Sequence, residues 1–474
     1  MPLRAKITNP AMQRSFASSP EIPRELPGDE ENDVLFGTKY GVRTIELNRP
    51  KKLNSLNGSM ARKILPRLAE WEKSGLANVV VMKGAGRAFC AGGDVAALAK
   101  LNGEGKQGQQ ASKDYFALEY KLDHYIATYP KPYVAFMDGI TMGGGVGLSV
   151  HAPFRIATEN TVFAMPETTI GFFPDVGASF FLPRMDGQIG TYLALTSEQL
   201  KGVNVFYNGI ATHYIHSTSL PDLEARLSEL TFKDYMPLHD RLVIINQTIE
   251  EFTSGLPHDE PFQFSKQIRQ AIDWCFSPSG GVSGIIDRLN QAAAAPRDDI
   301  KAWGQKTLET IQSRSPTSVK VAFEQLRRGA NWNIAQTFQH EHHIASKFME
   351  HPDFVEGVSA RLIRKPAEKP VWTVSELDQV SDEDVKAFFT NEPELQLLRT
   401  GGDRNAYKDY PHAWIGLPRE AEVESVVRRG QAKTKDEVVA SFVAAKDSKM
   451  GVREKVEEIL NRRTETQDGV LVWR

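Results

Sequence analysis

The sequence predicts an α/β protein whose first half repeats a strand, a glycine turn and a helix, followed by a helical region and a C-terminal extension. Three observations carry that expectation. The apolar runs NVVVMKG and PYVAF read as buried strands, and each leads toward a glycine cluster that opens a helix. Units of this kind, stacked through about Ile210, fit a superhelical α/β core rather than a doubly wound sheet. Past His216 the pattern turns helical in SLPDLEARLSELTF, QFSKQIRQAIDWCF, SGIIDRLNQAAAAP and SPTSVKVAFEQLRRG, the last with a Ser-Pro start signal.

At 474 residues the chain exceeds what one hydrophobic core usually organises, so a main domain with an appended lobe or tail is expected. With 41% apolar residues, 25% charged residues and a formal net charge of −3, no general attraction to nucleic acid or anionic membranes follows. Two cysteines, Cys90 and Cys275, give neither a disulfide framework nor a CxxC pair, as in a reducing compartment. The first twenty residues hold Arg4, Lys6, Arg14, small hydroxyl residues and no acid. Such a start has the composition of a mitochondrial presequence, with RSFASS as a processing region; the alternative is a plain N-terminal arm. EIPRELPGDEENDV then reads as an acidic linker outside the fold, which sets residues 1–33 apart. No apolar run approaches the roughly twenty residues a membrane span needs.

VLFGTKYGVRTIELNRP reads as a hairpin, MARKILPRLAEWEKS as a helix and NVVVMKG as the next strand. Gly92, Gly93 and Asp94 fall at the following strand-to-helix junction, with Asp94 placed as an N-cap. The polar stretch LAKLNGEGKQGQQAS, 98–112, reads either as a mobile loop gating a pocket or as a tolerated surface insertion. Gly143, Gly144 and Gly145 follow PYVAF, and VGLSVHA after them opens a helix. Glycine lets backbone N–H groups approach a ligand closely, and a helix start adds partial positive charge that suits a developing oxyanion. About twenty residues on stand Glu167 and Asp175, among Phe163, Met165, Ile170, Phe172 and Phe173. Two carboxylates in apolar surroundings facing oxyanion donors point to acyl chemistry.

RAFCAGGD together with GITMGGGVGLS resembles the paired oxyanion-hole signature of the crotonase, or enoyl-CoA hydratase, superfamily. HAPFRIATENTVFAMPETTIGFFPDVGASFFLPR is similar to its 3-hydroxyisobutyryl-CoA hydrolase branch. The likeness runs from Val34 to about Phe389 and includes SPTSVKVAFEQL and HPDFVEGVSARLI. It implies a catalytic core over 34–260, a C-terminal helical region over 261–390 and an extra segment over 391–474. It also implies oxyanion N–H groups at Gly93 and Gly144, with Glu167 as the principal catalytic carboxylate and Asp175 as its partner. Glu119 in FALEYKL becomes a further pocket residue, so that Glu119, Gly144, Glu167 and Asp175 hold substrate; without the likeness Glu119 reads as an exposed helix charge. Hydratase relatives carry a second glutamate where Gly147 stands here, which favours hydrolysis over hydration. The implied reaction is cleavage of a short β-hydroxyacyl-CoA, 3-hydroxyisobutyryl-CoA above all, in mitochondrial valine breakdown. No metal and no cofactor beyond the CoA of the substrate is implied. Asn48, Arg49 and Pro50 with NSLN fall where that family holds the CoA tail, and Lys51, Lys52 and Arg87 are weak candidates for its phosphates.

Competing readings are poorer. The glycines do not spell GxGxxG, because Leu148 fills the last position, and no early acid follows at a strand end, so a dinucleotide fold is excluded. FQHEHHIASKFMEH brings together His340, His342, His343 and His351, but not as HExxH, and an amphipathic helix is the simpler reading. Cys90 sits in the first glycine turn as a packing residue rather than a nucleophile. Past Phe389, PELQLLRTGGDRNAYKDYPHAWIGLPRE and the helical stretches after it carry hydrophobic anchors without enough of a core, as a docking element or a peripheral strap does. The chain further resembles a 3-hydroxyisobutyryl-CoA hydrolase homologue found in the small subunit of some fungal mitochondrial ribosomes. That likeness implies ribosomal proteins and rRNA as partners of the extension, with Arg428, Arg429, Arg462 and Arg463 as candidate RNA contacts.

Overall fold

The computed structural model describes residues 21–474, except 234, 254, 258–259, 391–392, 431–433 and 468–469. The basic N-terminal twenty residues and the presequence reading therefore lie outside the described residues.

The chain opens with the antiparallel hairpin β1 (Val34–Lys39) and β2 (Val42–Leu47), then helix α1 (Gly58–Lys73), whose N-cap Asn57 accepts from the Met60 N–H at 2.9 Å. Three units follow. Each gives one strand to a large sheet and the next to a small one: β3 (Val79–Gly84) and β4 (Ala88–Cys90), β5 (Tyr133–Met137) and β6 (Ile140–Met142), β7 (Phe154–Ala157) and β8 (Val162–Ala164). Helices α2 (Val95–Asn102) and α3 (Lys106–Ala127) join the first unit to the second; the single turn α4 (Gly144–Gly147) joins the second to the third. The large sheet runs β1-β2-β3-β5-β7-β10, with β10 being His213–Tyr214, and is parallel from β2 onward. The small sheet runs β4-β6-β8-β9, with β9 being Leu200–Lys201. This spiral is the superhelical arrangement expected.

NVVVMKG and PYVAF lack a polar side because both faces of the large sheet are covered. Val80, Met82, Tyr133 and Ala135 face α1 and α3, while Val79, Val81, Val134, Phe136 and Ile156 face the helices Leu220–Ser228 and Leu238–Glu250. Helices Pro316–Gly329 and Ile334–Phe348 then pack behind the segment 165–181. Among the described residues no helix is long and apolar enough to cross a membrane.

Four expectations need correction. Residues 98–112 are not a loop: α2 and α3 are separated only by the turn 103–105, with Lys106, Gln107 and Gln110 exposed while Asn102 and Ser112 are buried. The helix begun at Gly144 lasts one turn, with further turns at 148–151. The acidic stretch before Val34 belongs to the fold, since Asp29 pairs with Arg62, Glu30 with Arg49, and buried Asp33 with Lys63 at 2.7 Å. In the extension, Arg462 is only 1% exposed and pairs with Glu420 at 2.7 Å and Glu458 at 2.9 Å; Arg463 reaches Glu420 and Asp273. These two arginines fasten the extension to the body and are not free RNA contacts, whereas Arg428 and Arg429 remain exposed.

The extension has few residues for a core of its own and adds to the existing one. Ile415 inserts beside Leu242 and Ile245, and the helix Val452–Arg463 buries Val452, Val456, Ile459 and Leu460. At roughly 1.5–3 kcal/mol per buried aliphatic side chain, these contacts make it an integral layer of the fold.

Candidate active site

The two glycine turns meet because the strands that deliver them are neighbours: β4 and β6 pair in parallel, Cys90 against Thr141. At the first turn Leu56 bonds to the flanking residues, its N–H to the Gly92 carbonyl and its carbonyl from the Asp94 N–H, both at 2.8 Å. That pattern turns the intervening Gly93 N–H the other way. At the second turn Gly144 is the first residue of its helix, so its N–H has no intrahelical acceptor. Among the described residues neither N–H donates to a protein acceptor. A Cβ built on Gly144 would stand 3.3 Å from the Gly93 nitrogen and 2.5 Å from Glu119 Oε1; one on Gly143 would stand 3.2 Å from Glu167 Oε1. The free amides and two carboxyl groups therefore converge on one small space.

Glu167 follows Pro166 at the head of the short 3-10 helix Glu167–Ile170 and is 5% exposed. Its Oε2 is buried without a hydrogen-bond partner, as is Glu119 Oε1. Glu119 points inward from α3, contrary to the exposed-charge reading, and is 2% exposed. Asp175, 5% exposed, accepts from the Tyr120 hydroxyl at 2.6 Å, which ties it to the residue after Glu119. Burial raises the pKa of all three acids. Glu167 and Glu119 are pushed well above the ordinary range by burial and then by the charge of Asp175; for Glu119 the Tyr115 hydroxyl opposes the shift. Asp175 is raised by burial to about 7, against the pull of the Tyr120 hydrogen bond. Three neighbouring buried acids do not ionise independently, since the charge of Asp175 raises the other two.

Phe172 stacks on Phe116 and packs against Phe173, which stacks on Phe348, supplying the apolar lining. Cys90 behaves as a packing residue, its thiol pushed up to about 12 by burial. Asp94 makes no side-chain cap; its carboxylate goes to Arg49 at 3.1 Å and Lys52 at 3.2 Å, because two cations outbid one backbone N–H. Lys51, Lys52 and Arg87 are exposed, with Lys52 at the rim of the first glycine turn.

Other groups shape the site without having been singled out in the sequence. Tyr120 holds Asp175. Glu341, in the middle of the histidine stretch, accepts from the Gly177 N–H at 2.6 Å and the Ser179 N–H at 2.9 Å. It clamps a turn in which Val176 has φ 53, a conformation β-branched residues avoid. Asp123, one turn after Glu119, is fully buried, and a Cβ on Gly147 would meet its Oδ2 at 2.5 Å. The available signal was helical spacing: Glu119, Tyr120 and Asp123 share the inward side of α3. The histidine stretch is the amphipathic helix expected, started by an Asn333–Gln336 capping box, with His340 stacked on Trp332.

Two unpaired amides on adjacent turns, faced by buried acids and flanked by Phe116, Phe172 and Phe173, have the make-up that polarising an acyl carbonyl requires. Residues 42–389 match the model of the enoyl-CoA hydratase/isomerase family, and the chain belongs to that family. Among its relatives, the small ribosomal subunit protein mS47 of Neurospora crassa is 53% identical over 98% of this chain and 91% of its own length. The mitochondrial 3-hydroxyisobutyryl-CoA hydrolase of Danio rerio is 42% identical over 77% of this chain and 91% of its own. A solved carnitinyl-CoA dehydratase from Mycobacterium thermoresistibile superposes with a TM-score of 0.66 at 33% identity, covering 77% of this chain and 98% of that one.

Proposed function

We propose that the chain hydrolyses a short β-hydroxyacyl-CoA thioester in the mitochondrion, 3-hydroxyisobutyryl-CoA before others, and also serves as a protein of the mitochondrial small ribosomal subunit. The observation that carries the first role is the convergence of the Gly93 and Gly144 amides on a space bordered by Glu119 and Glu167. The thioester oxygen would take both N–H bonds, which strengthen as it gains negative charge; one such donor is worth about 3–4 kcal/mol of barrier. Two routes use the same groups. Glu167 as nucleophile forms an anhydride and expels the CoA thiolate, after which water attacks the Glu167 carbon of the anhydride and gives a proton to the thiolate; Glu167 as general base takes a proton from water as that water attacks the thioester carbon and passes it to the departing sulfur. In both, CoA leaves as a thiol, the carboxylate product keeps the oxygen delivered by attack, and Asp175 positions the substrate hydroxyl or the water. Glycine at 147 leaves no acid on α4 for the second proton transfer of hydration. No cofactor beyond the substrate's own CoA is required.

Thiol release from 3-hydroxyisobutyryl-CoA tests the reading, with Glu167→Gln expected to lose about 10²–10⁴ of kcat. Absence of release, or turnover indifferent to that substitution, removes the enzyme. A single turnover in labelled water separates the routes, since only the anhydride route places solvent oxygen in Glu167.

The second role rests on the mS47 relative, whose match extends through nearly the whole of this chain. Sedimentation of the full chain with mitochondrial small subunits tests it, and failure to co-migrate refutes it. The extension is the proposed anchor to ribosomal protein or rRNA, with the exposed pair Arg428 and Arg429 as its cationic edge.

A further inference from the structure

Outside the site described, the extension and the core together line a half-open cavity of about 130 Å³. Its inner wall carries Arg155, Phe181 and Arg184, and its outer wall Tyr410, His412 and Leu417. The family match ends at 389, so the outer wall lies beyond the part of the chain shared with the family. The cavity is distinct from the glycine turns and from Glu119, Glu167 and Asp175, none of which lines it.

Its electrostatics are one-sided. Arg155 is 6% exposed and donates through Nε to the Ile210 carbonyl at 2.5 Å, and through one terminal nitrogen to the Ala152 carbonyl at 2.7 Å and the Tyr410 hydroxyl at 2.9 Å. Among the described residues its other terminal nitrogen, Nη2, has no protein acceptor, and none of its contacts is a carboxylate. Arg184 lies over Phe180 at 4.0 Å and likewise donates only to carbonyls, those of Phe180, Gly329, Ala330, Trp332 and Lys408. The carboxylate on the wall, Asp186, is already paired with Lys455 at 2.7 Å. His412 is held down to about 4, first by burial and then by the positive charges of Arg155 and Arg404 with His239. Arg155, buried with only neutral partners, and the half-buried Arg184, whose charge Asp409 offsets in part, leave the inner wall positive.

From this free guanidinium arm and its apolar surroundings we infer that the cavity between core and extension is a binding site for a small organic carboxylate. A carboxylate on Arg155 Nη2 completes the planar fork. The rings of Phe181 and Tyr410, with Leu417, receive an apolar body. A dry cavity of about 150 Å³ takes a benzene ring, so the ligand has about six to nine non-hydrogen atoms. His412 stands beside it as a reporter, because an anion in the cavity favours the imidazolium.

The test uses the full chain, calorimetric titration at neutral pH and three probes: benzoate, benzyl alcohol of similar size without charge, and inorganic phosphate without an apolar body. Benzoate is expected to saturate one site and to bind at least about tenfold more tightly than either other probe. It is also expected to raise the His412 pKa, read by NMR of the ring carbons. Arg184→Lys on the inner wall should weaken benzoate several-fold while leaving thioester turnover unchanged. Equal binding of benzoate and benzyl alcohol, phosphate binding as well as benzoate, or a static His412 each overturns the site. So does benzoate affinity unaltered in Arg184→Lys, with a thermal midpoint at the parent's value showing that the variant is folded. Binding is read without acyl-CoA, so its failure is separate from failure of the proposed hydrolysis.

Discussion

Gly144→Ala is the sharpest perturbation of the proposed oxyanion site. The added methyl carbon would stand 3.3 Å from the Gly93 nitrogen. A carbonyl oxygen held by both amides must lie about 2.7–3.1 Å from each, so methyl and oxygen compete for one volume. Losing a single donor at such sites costs about 10²–10³ in kcat, or about 3–4 kcal/mol, and displacing the oxygen costs at least that. The fold should tolerate the change, because the closest approach, 2.5 Å, is to Glu119 Oε1, the end of a side chain. Gly145→Ala is the contrast. Its methyl would meet the Cys90 carbonyl oxygen at 2.2 Å, which is strand backbone and cannot swing aside. That variant should lose about 1–3 kcal/mol of stability. Thiol-release kinetics and thermal unfolding on both variants separate the effects. The expected result is a slow, stable Gly144→Ala protein whose midpoint stays within about 1 °C of the parent, a shift worth about 1 kcal/mol for a chain of this length. A Gly144→Ala protein that turns over within about threefold of the parent refutes the convergence of the two amides as the source of rate.

Further outcomes follow from the same geometry. A carboxyl that must ionise to act is active above its pKa, so kcat/KM should rise with pH through a step near 7 set by Asp175 and go on rising above it as Glu167, held higher by burial and by that charge, ionises. The Tyr120 hydrogen bond favours ionised Asp175, so Tyr120→Phe should move that rise to higher pH; an unmoved profile would detach Asp175 from the rate. The raised pKa also has a stability consequence. Between the unfolded value near 3.8 and about 7 the folded chain holds the proton that the unfolded chain releases, so stability falls as pH rises across that window and levels off above it. Asp175→Asn should therefore gain on the parent from pH 4 to about 7 in denaturant titrations, and a constant difference would refute the shift. Glu341→Gln loses one of the two carboxylate oxygens that clamp Gly177 and Ser179, at about 1–3 kcal/mol, with turnover falling alongside if that turn positions Asp175. Arg462→Ala takes the buried guanidinium from Glu420 and Glu458 but leaves Arg463 on Glu420, and should cost about 1–3 kcal/mol; a near-neutral result in chemical denaturation would show that the network does not secure the extension.

The spiral and its glycine turns were legible in the sequence because backbone geometry constrains those positions strongly. Gly143 has φ 44 and Gly92 φ 114, conformations other residues rarely adopt, and Gly145 approaches backbone too closely to carry a side chain. Glu167 and Asp175 stood out as acids within apolar runs. Glu119, Tyr120 and Asp123 were masked by Lys121 and His124 on the same helix, since a mixed polar stretch conceals which face is buried. Glu341 was hidden among histidines, its two acceptor bonds to 177–179 reaching across more than 160 residues. Residues 98–112 resembled a loop because glycines at 103, 105 and 108 dilute the helical signal; a Cβ on Gly108 would fall 1.7 Å from the Leu101 carbonyl oxygen, so that glycine serves close packing between helices. The acidic stretch before Val34 and the extension looked detached because their partners, Arg62, Lys63, Asp273 and the sheet's outer face, are distant in sequence.

The pairing of β4 with β6 also sets how the site can vary over time. The offset between the two turns is governed by the peptide ladder, whose repeat of about 4.8 Å is the same for any side chains. Substitutions elsewhere can redraw the acyl pocket or add an outer layer, yet the spacing of the amides stays put while the ladder does. A protein recruited into a large assembly under selection for shape alone would carry this spacing along as a passenger.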